Sequence, residues 1–311
     1  MPRKPDGVSE GASGQVHSGF VALVGRPNTG KSTLTNALVG EKVAIVSNRP
    51  QTTRHRLRAI LDCEDAQIVF VDTPGLHKPQ DALGEQVNRS ALMALSDVDV
   101  VCLVIDASAP VGRGDEWVAR HVAANKAARV LVVTKADLVD QETVNKQIAA
   151  ASKLADFTDV VVVSAVEGFN VSGFADTVAA LLPMGPRYFP RGIATDQPLE
   201  VMLAEFIREK VLIATHQEVP HAVGVVIEDL NYNEKRDITT VSSVIYVERD
   251  SQKGIIVGKG GETIKRIGTE ARVDLERLLG TRVFLDLNVK VKRDWRRDAS
   301  QIKRFGYGEG L

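Results

Sequence analysis

The strongest constraint on the fold of this chain is an eight-residue motif that follows its first apolar run, at residues 20–24. The motif has the form G-x-x-x-x-G-K-[ST] and consists of Gly25, Arg26, Pro27, Asn28, Thr29, Gly30, Lys31 and Ser32. Between a strand and a helix, the backbone N–H groups of such a loop bind phosphates. Lys31 is predicted to reach the β- and γ-phosphates, and the Ser32 hydroxyl to ligate Mg²⁺. A plain glycine-rich turn would give no reason for Lys31 and Ser32 to follow Gly30.

Residues 20–182 alternate short apolar runs with amphipathic stretches, which predicts a mostly parallel sheet with helices on both faces. Each run ends in a polar or glycine-bearing turn, so ligand-binding residues should cluster at the carboxyl ends of the strands. The composition, with 44% hydrophobic and 25% charged residues, argues against a disordered or membrane-spanning chain. The two cysteines, Cys63 and Cys102, are expected to be reduced and structural.

Changes in composition divide the chain into four segments. Residues 1–18 are rich in Gly, Ser and Pro, lack the apolar run of a secretory signal and are predicted to be a disordered tail. Residues 19–183 contain the α/β pattern. Closely spaced prolines and glycines mark residues 184–198 as a linker. Residues 199–311 have the pattern of a small α+β domain, with a helix, two strands, a glycine turn, a second helix and a last strand.

A second motif follows the apolar run at residues 67–71 and consists of Asp72, Thr73, Pro74, Gly75 and Leu76. Asp72 is predicted to hold the water shell of the metal, and the Gly75 N–H to donate to the γ-phosphate. Taken alone, D-x-P-G could be an ordinary β-turn. Its position after a buried strand, downstream of the phosphate loop, favours the role in nucleotide binding.

The segment between these two motifs is polar and consists of Gln51, Thr52, Thr53, Arg54 and His55. It occupies the place where a loop that senses the γ-phosphate would become ordered around Mg²⁺. One threonine, Thr53 in preference to Thr52, is predicted to complete the metal shell with Ser32. Taken alone, the segment could be a solvated loop, so this interpretation depends on its neighbours. The candidate catalytic residues are Lys31, Thr53, Asp72 and Gly75.

Two further polar motifs at strand ends are predicted to bind the base. The first consists of Thr134, Lys135, Ala136 and Asp137. The Asp137 carboxylate would accept from the ring N–H and the amino group of guanine, whereas adenine presents an acceptor in place of the ring N–H. Lys135 would lay its stem over the base, and the second motif would donate backbone N–H to the guanine carbonyl from Ser164, Ala165 and Val166. The first motif could also be a simple helix cap.

The second domain carries a G-x-x-G loop and an excess of positive charge. The loop is formed by Gly258, Lys259, Gly260 and Gly261, and it precedes an amphipathic helix with Lys265 and Arg266. This arrangement resembles a KH domain, in which such a loop approaches an RNA backbone. Helix-entry turns also produce G-x-x-G. Further basic residues strengthen the RNA interpretation over that of a solvated charged tail: Arg272, Lys290, Lys292, Arg293, Arg296, Arg297, Lys303 and Arg304.

Taken together, these motifs resemble the Era family of translation-factor-class GTPases, specifically in G-R-P-N-x-G-K-S, Q-T-T-R-H and D-T-P-G-L. The resemblance continues through residues 206–210, F-I-R-E-K, and leaves only residues 1–18 uncovered. It implies a P-loop GTPase domain followed by a type II KH domain, with GTP or GDP and Mg²⁺ as cofactors. It also implies binding to the 3′ region of small-subunit (16S) ribosomal RNA, a role in assembly of that subunit, and a cytoplasmic monomer with some peripheral membrane association.

Two other functions fit parts of the sequence. A membrane-surface GTPase could use the basic C-terminal end to bind anionic lipid, but it would have no use for a G-x-x-G loop. An ATP-driven enzyme that acts on a small molecule is disfavoured by Asp137. The expected function is therefore that of a GTP-hydrolysing switch that binds RNA.

Three positions affect the expected chemistry. The family's guanine motif begins with Asn, and Thr134 replaces it here, which is expected to lower nucleotide affinity while Asp137 keeps the preference for guanine. Leu76 stands where Ras-like enzymes place a water-orienting Gln, so intrinsic turnover should be about 10⁻⁴ to 10⁻² per second. Asn28 is a candidate ligand for K⁺; alternatively, it only tolerates an unusual loop dihedral.

Overall fold

The computed structural model describes residues 15–49, 52–54, 56–76, 82–215, 219, 222–305 and 307. Most of the predicted tail, residues 1–14, lies outside these ranges, as do Gln51 and His55 of the predicted switch segment.

The first domain is an α/β unit around a seven-stranded sheet, with strand order β2-β3-β1-β4-β5-β6 and a short β7 beside β1. All neighbours are parallel except β2 with β3 and β7 with β1. The predicted mostly parallel sheet is thus confirmed. Its elements are β1 (Val16–Val24), α1 (Lys31–Val39), β2 (Leu57–Asp62), β3 (Ala66–Asp72), α2 (Ala82–Met93), β4 (Val100–Asp106), α3 (Arg113–Ala123), β5 (Ala128–Thr134), α4 (Gln141–Ala151), β6 (Asp159–Val162), α5 (Val171–Leu181) and β7 (Met184–Gly185).

The sheet is buried on both faces, which explains why its strands are apolar runs and not alternating patterns. Leu34 of α1 and Phe174 of α5 pack on one face. Val118 of α3 and Val144 of α4 pack on the other. The carboxyl ends of β1, β3, β5 and β6 lie along one edge of the sheet, and four of the predicted nucleotide motifs follow these ends. The fifth, the switch segment, precedes β2.

Strand β1 begins earlier than predicted, inside the segment expected to be a disordered tail. Val16 pairs with Gly185, so β7, which lies in the predicted linker, gives the start of β1 a partner. The Ser18 hydroxyl donates to Pro186 O at 2.8 Å, and Ser18 is buried. The breakers in the linker limit β7 to two residues without preventing it from pairing.

The predicted linker follows the edge of the sheet. Asp62, at the end of β2, accepts hydrogen bonds from Arg187 at 3.0 Å and Arg191 at 3.3 Å. The backbone at Ala59 forms an antiparallel bridge with Thr195. The segment is thus attached to the first domain at several points along its length.

The second domain contains a three-stranded sheet with order β10-β9-β8, in which β10 is parallel to β9 and β8 is antiparallel to it. Its core includes Phe206 of α6, Ile256 of α7 and Leu275 of α8. The order of the first six elements, α-β-β-α-α-β, is that of the predicted type II KH domain. The elements are α6 (Leu199–Ala214), β8 (Gly224–Asn233), β9 (Ile238–Val247), α7 (Asp250–Val257), α8 (Glu262–Leu279), β10 (Arg282–Val291) and α9 (Ala299–Arg304).

The basic C-terminal segment folds back onto both domains. Trp295 is completely buried and donates its indole N–H to Ala222 O at 2.9 Å. It shares a cluster with Phe305 and Tyr307 and with two residues of α2 in the first domain, Leu83 and Val87. The pattern of basic residues gave no sign of this aromatic cluster, because its members are separated by charged residues.

Both cysteines are free thiols, as predicted. Cys102 is buried in β4, and burial raises the pKa of its thiol well above the usual range. Cys63 is exposed directly after β2. Cys102 therefore has the structural role expected of it.

Candidate functional site

The phosphate loop adopts the conformation that its motif requires. Gly30 has a φ of 87°, which an L side chain would rarely adopt, and it directly precedes α1. Gly75 approaches the loop so closely that a Cβ there would lie 2.6 Å from Pro27 Cα. The Leu76 N–H donates to Gly25 O at 3.2 Å. The D-T-P-G segment therefore packs directly on the phosphate loop, as the sequence predicted.

Lys31 points into the phosphate loop and is only 5% exposed. Its Nζ donates to Arg26 O at 2.7 Å and to Gly25 O at 3.1 Å. Burial lowers the pKa of Lys31 to about 8, although the charge of Asp72 opposes this shift. The ammonium group thus keeps its positive charge at neutral pH in a partly desolvated place, where its attraction for phosphate oxygens is strong.

Three side chains predicted to bind the metal or its water shell converge beside the loop. The Ser32 hydroxyl lies 2.9 Å from Thr53 Oγ1 and donates to Asp72 Oδ2 at 2.7 Å. Among the described residues, no hydrogen-bond partner is found for Asp72 Oδ1, although that oxygen is buried. Burial raises the pKa of Asp72 to about 6, against the opposing effects of Ser32 and Lys31. This oxygen set, with an unsatisfied buried carboxylate, fits a Mg²⁺ ion and its water shell.

The structure separates the two candidate threonines. Thr53 faces Ser32, whereas the Thr52 hydroxyl is bonded to Ser47 Oγ at 2.6 Å and to Arg49 O at 2.7 Å. Asn28 has a φ of 64°, and its amide group donates to Asn48 O at 3.1 Å. Thr53 is therefore the threonine in position for the metal, and Asn28 joins the phosphate loop to the loop that precedes the switch segment.

A cavity of about 280 Å³ connects these groups. Predicted residues in its wall are Pro27, Asn28, Gly30, Lys31, Ser32, Thr52, Thr53, Gly75 and Lys135. Residues that the sequence analysis missed are Thr33, Ile45, Val46, Ser47 and Asn48. Most of the missed residues lie between α1 and β2, where no periodicity or motif marks them.

The two base-binding motifs lie side by side. Ala136 N donates to Val163 O at 3.3 Å, which joins the loop after β5 to the loop after β6. Asp137 lies in a single 3₁₀ turn, Ala136–Leu138. Its side chain is exposed, so its carboxylate is accessible to a ligand. Ser164 is buried, while Ala165 and Val166 extend towards the surface. The structure thus brings all the predicted base-binding residues to one edge.

Asp106 is a site residue that the sequence analysis did not identify. It ends β4, and its carboxylate accepts from Lys135 Nζ at 2.5 Å and from the Ser108 hydroxyl at 2.6 Å. Partial burial alone would raise the pKa of Asp106, but the hydrogen bonds from Lys135 and Ser108 lower it below the usual range. Asp106 therefore stays ionised and holds the stem of Lys135 in place. Its position at the end of an apolar run was the only sequence signal.

Leu76 cannot act on a water molecule from its position. It is 2% exposed and packs in the core beneath α2 and α3. We expect that L76Q will not accelerate GTP hydrolysis and will lower the free energy of unfolding by about 2–3 kcal/mol, since it buries a polar group. Single-turnover hydrolysis and urea denaturation test both points, with the volume-conserving L76M as the control, expected to cost less than about 1.5 kcal/mol. Faster hydrolysis by L76Q would contradict this placement.

The G-x-x-G loop of the second domain is held open by its glycines. Gly258, Gly260 and Gly261 all have positive φ, at 74°, 60° and 81°. The loop connects α7 to α8, and the side chains of Lys259 and Lys265 are exposed. The loop thus combines the backbone N–H groups at the start of α8 with two exposed cations close in sequence, which suits a phosphodiester backbone.

Part of the predicted basic surface is neutralised by acidic partners. Arg296 makes an ion pair with Glu248 at 2.8 Å, and Lys290 pairs with Glu228 at 3.3 Å. Arg266 has only a long contact of 4.0 Å with Glu270. The side chain of Lys303 lies outside the described ones. Acidic partners thus reduce the available charge of Arg296 and Lys290, while Lys259 and Lys265 beside the G-x-x-G loop are exposed.

The switch segment is bonded to the second domain on both sides of Thr53. Fully buried Arg208 of α6 donates from Nη2 to Thr52 O, and its Nε donates to Glu205 at 2.7 Å. Arg54 donates from Nη1 to Val223 O at 2.6 Å. A candidate metal ligand is therefore held between two arginine contacts that cross the domain junction.

A network of charges extends this junction. Glu209 of α6 accepts from the Val46 N–H at 2.8 Å and from Lys42 at 2.5 Å. Lys42 also contacts Asp274 of α8 at 2.7 Å. Helix α8 begins directly after the G-x-x-G loop, so it connects this loop to Lys42. Through Lys42 and Glu209 the network reaches Val46, in the wall of the nucleotide cavity.

Comparison with known sequences gives consistent results for both domains. Residues 20–135 match a family described as 50S ribosome-binding GTPase, and residues 218–296 match the KH domain family. The chain is 50% identical to the GTPase Era of Mycolicibacterium paratuberculosis over 297 residues, which cover 94% of this chain and 99% of that protein. It is 49% identical to the GTPase Era of Mycobacterium tuberculosis over 298 residues, with the same coverage.

Two solved structures share the whole architecture. A crystal structure of an Aquifex aeolicus Era variant bound to GDP·AlF₄⁻ has a TM-score of 0.91 and 36% identity, and the match covers 94% of this chain and 100% of that one. An Era structure in complex with MgGDPNP and nucleotides 1506–1542 of 16S ribosomal RNA has the same TM-score and identity, and covers 94% and 99%.

Proposed function

The chain belongs to the Era family of GTPases, and from this premise we propose that it is a slow, Mg²⁺-dependent GTP switch that binds the 3′ region of 16S ribosomal RNA and assists assembly of the small ribosomal subunit. The observation that carries this proposal is the junction at the switch segment. Thr53, beside the phosphate loop, lies between two contacts across the domain junction: Arg208 of the RNA-binding domain donates to Thr52 O, and Arg54 donates to Val223 O of that domain. A change around the γ-phosphate therefore acts directly on the contacts between the domains.

The residues of the nucleotide site divide the chemistry among them. Lys31 and the N-terminus of α1 bind the phosphates, and Ser32, Thr53 and Asp72 would hold Mg²⁺, which neutralises phosphate charge when bound. Gly75 offers its N–H to the γ-phosphate. Asp137 selects guanine, while Asp106 keeps Lys135 extended over the base. Because the apolar side chain of Leu76 cannot orient the attacking water, hydrolysis is slow, which suits a timed switch.

The proposal is tested by binding to oligonucleotides from the 3′ end of 16S ribosomal RNA and to scrambled controls, across a salt series. The protein is loaded with GDP or with a non-hydrolysable GTP analogue. We expect sequence-dependent binding that is tighter with the analogue. Weak binding that ignores sequence and disappears with salt would overturn the proposal, because it would reflect only general electrostatics.

Potassium is a further proposed cofactor of the hydrolysis reaction. The support is the contact of Asn28 with Asn48 O, which places two oxygen-bearing groups together beside the phosphate loop. We expect hydrolysis to be several-fold faster in KCl than in NaCl at equal ionic strength. The variant N28G keeps the positive φ that Asn28 adopts but lacks the amide, so it should lose the response to K⁺. Equal rates in the two salts would show that Asn28 serves only the loop dihedral.

The lipid-binding alternative gains no support from the fold. The apolar side chains of the C-terminal segment, including Trp295 and Tyr307, pack inwards between the domains and are not available to a bilayer. In the part of the chain that the structure describes, no helix is long and apolar enough to cross a membrane. A cytoplasmic monomer, with some peripheral membrane association, stays a prediction of the family resemblance.

A further inference from the structure

Thr134 forms an unusual connection between the base-binding edge and the phosphate loop. It ends β5, is 2% exposed, and its Oγ1 lies 2.6 Å from Thr29 O and 2.8 Å from Ile105 O. Both neighbours are backbone carbonyls, which can only accept, so the hydroxyl must donate to them. A hydroxyl carries one hydrogen, and these two acceptors already share it.

A bound guanine would need donors for its two acceptors, O6 and N7, which lie on the same edge of the base. The backbone N–H groups of Ala165 and Val166 are the predicted donors to O6. At the N7 end, Thr134 takes the place of the Asn that begins the family's guanine motif. Lys135 Nζ is held on Asp106, so its stem would lie over the face of the base. Thr134 has no hydrogen left to offer.

From this geometry we propose that Thr134 braces the phosphate loop and makes no hydrogen bond to the base, so that this chain selects guanine without a side-chain contact to N7. The inference rests on the proposed binding of guanine nucleotides. It assigns the whole selection of the base to Asp137 and to the loop after β6. It also extends the range of ligands to nucleotides in which N7 is replaced by carbon.

The brace explains the tight packing at this point. A Cβ added at Gly30 would lie 3.4 Å from Thr134 Oγ1, so the end of β5 is in contact with the last turn of the phosphate loop before Lys31. Loss of the hydroxyl would therefore loosen the loop that holds the phosphates. Since every guanine nucleotide uses that loop, the effect would be the same for all of them.

Calorimetric titration of the full chain with GDP and 7-deaza-GDP tests the proposal. We expect the two dissociation constants to agree within about twofold, where a lost hydrogen bond to N7 would separate them by about tenfold. In T134V, which keeps the shape but lacks the hydroxyl, both should weaken by the same factor. T134N offers two amide hydrogens, one for the loop and one for the base, and should restore a preference for GDP of about tenfold.

Two results would overturn the proposal. One is a wild-type protein that binds 7-deaza-GDP about tenfold or more weakly than GDP. The other is a T134V variant in which only GDP binding weakens, because that would place the Thr134 hydroxyl on N7. Failure of GDP itself to bind would instead contradict the proposed function, so the two failures are distinct. Urea denaturation of T134V without nucleotide checks that the variant is folded.

Discussion

D137N is expected to lose guanine nucleotides and to gain xanthine nucleotides. The Asp137 carboxylate accepts two hydrogen bonds from guanine, and an Asn side chain can accept only one while presenting N–H groups to the amino group. Xanthine has a carbonyl in place of that amino group, so the Asn amide can donate to it. We expect the affinity of D137N for GDP to fall about 1,000-fold, because the Asn side chain cannot accept both hydrogen bonds from guanine. The affinity of D137N for XDP should recover most of this loss.

The matched control for this exchange is D140N, three residues further along. Asp140 is also exposed and caps α4 by accepting from the Thr143 N–H, a role that Asn performs equally well. It removes the same charge from the same surface, so it should leave GDP affinity unchanged. Titration of both variants with GDP and XDP decides the point. If D137N kept its preference for GDP, another group would be selecting the base.

The double variant K259D/G260D is expected to abolish RNA binding while leaving the nucleotide site intact. It replaces one positive charge by two negative charges where the phosphodiester backbone approaches. A Cβ added at Gly260 would meet no atom of the described residues within 4 Å, and Asp tolerates a φ of 60°. Gly258 is a poorer choice, because a Cβ there would lie 2.9 Å from Thr263 N and would distort the loop. We expect affinity for the 16S oligonucleotide to fall at least about 100-fold at low salt.

K259N/G260N is the neutral counterpart and isolates the effect of charge from that of shape. It fills the same space and makes the same demand on the backbone, and we expect it to weaken binding by about tenfold or less. Fluorescence anisotropy across a salt series measures both variants, and GTP hydrolysis confirms that the first domain is unaffected. Equal losses in the two variants would mean that the loop acts through its shape and not through its electrostatics.

The motifs of the nucleotide site could be recognised in the sequence because their information is local. The phosphate loop, the D-T-P-G segment and the base-binding motifs each occupy a few contiguous residues at the ends of apolar strands. A parallel sheet brings those ends together whatever the details of packing. The wall formed by Ile45, Val46, Ser47 and Asn48 escaped prediction because an irregular segment has neither periodicity nor a motif.

Other features depended on partners that are distant in the chain. The start of β1 at Val16 required β7, which lies in a stretch of breakers that predicted no strand. Asp106 became a site residue only through its ion pair with Lys135. Thr134 could be identified from the sequence as a departure from its family, but its two carbonyl partners could not.

The amino-acid sequence was thus sufficient for the two domains, their order and the chemistry of each, since backbone pattern and short motifs specify these. The junction between the domains needed the fold. Arg208 and Thr52 are 156 residues apart in the sequence. Trp295, near the end of the chain, packs in one cluster with Leu83 and Val87 of α2. Such contacts leave no local pattern, because a buried arginine or tryptophan is defined by what packs around it. The link between the switch segment and the RNA-binding domain is therefore a property of the tertiary structure.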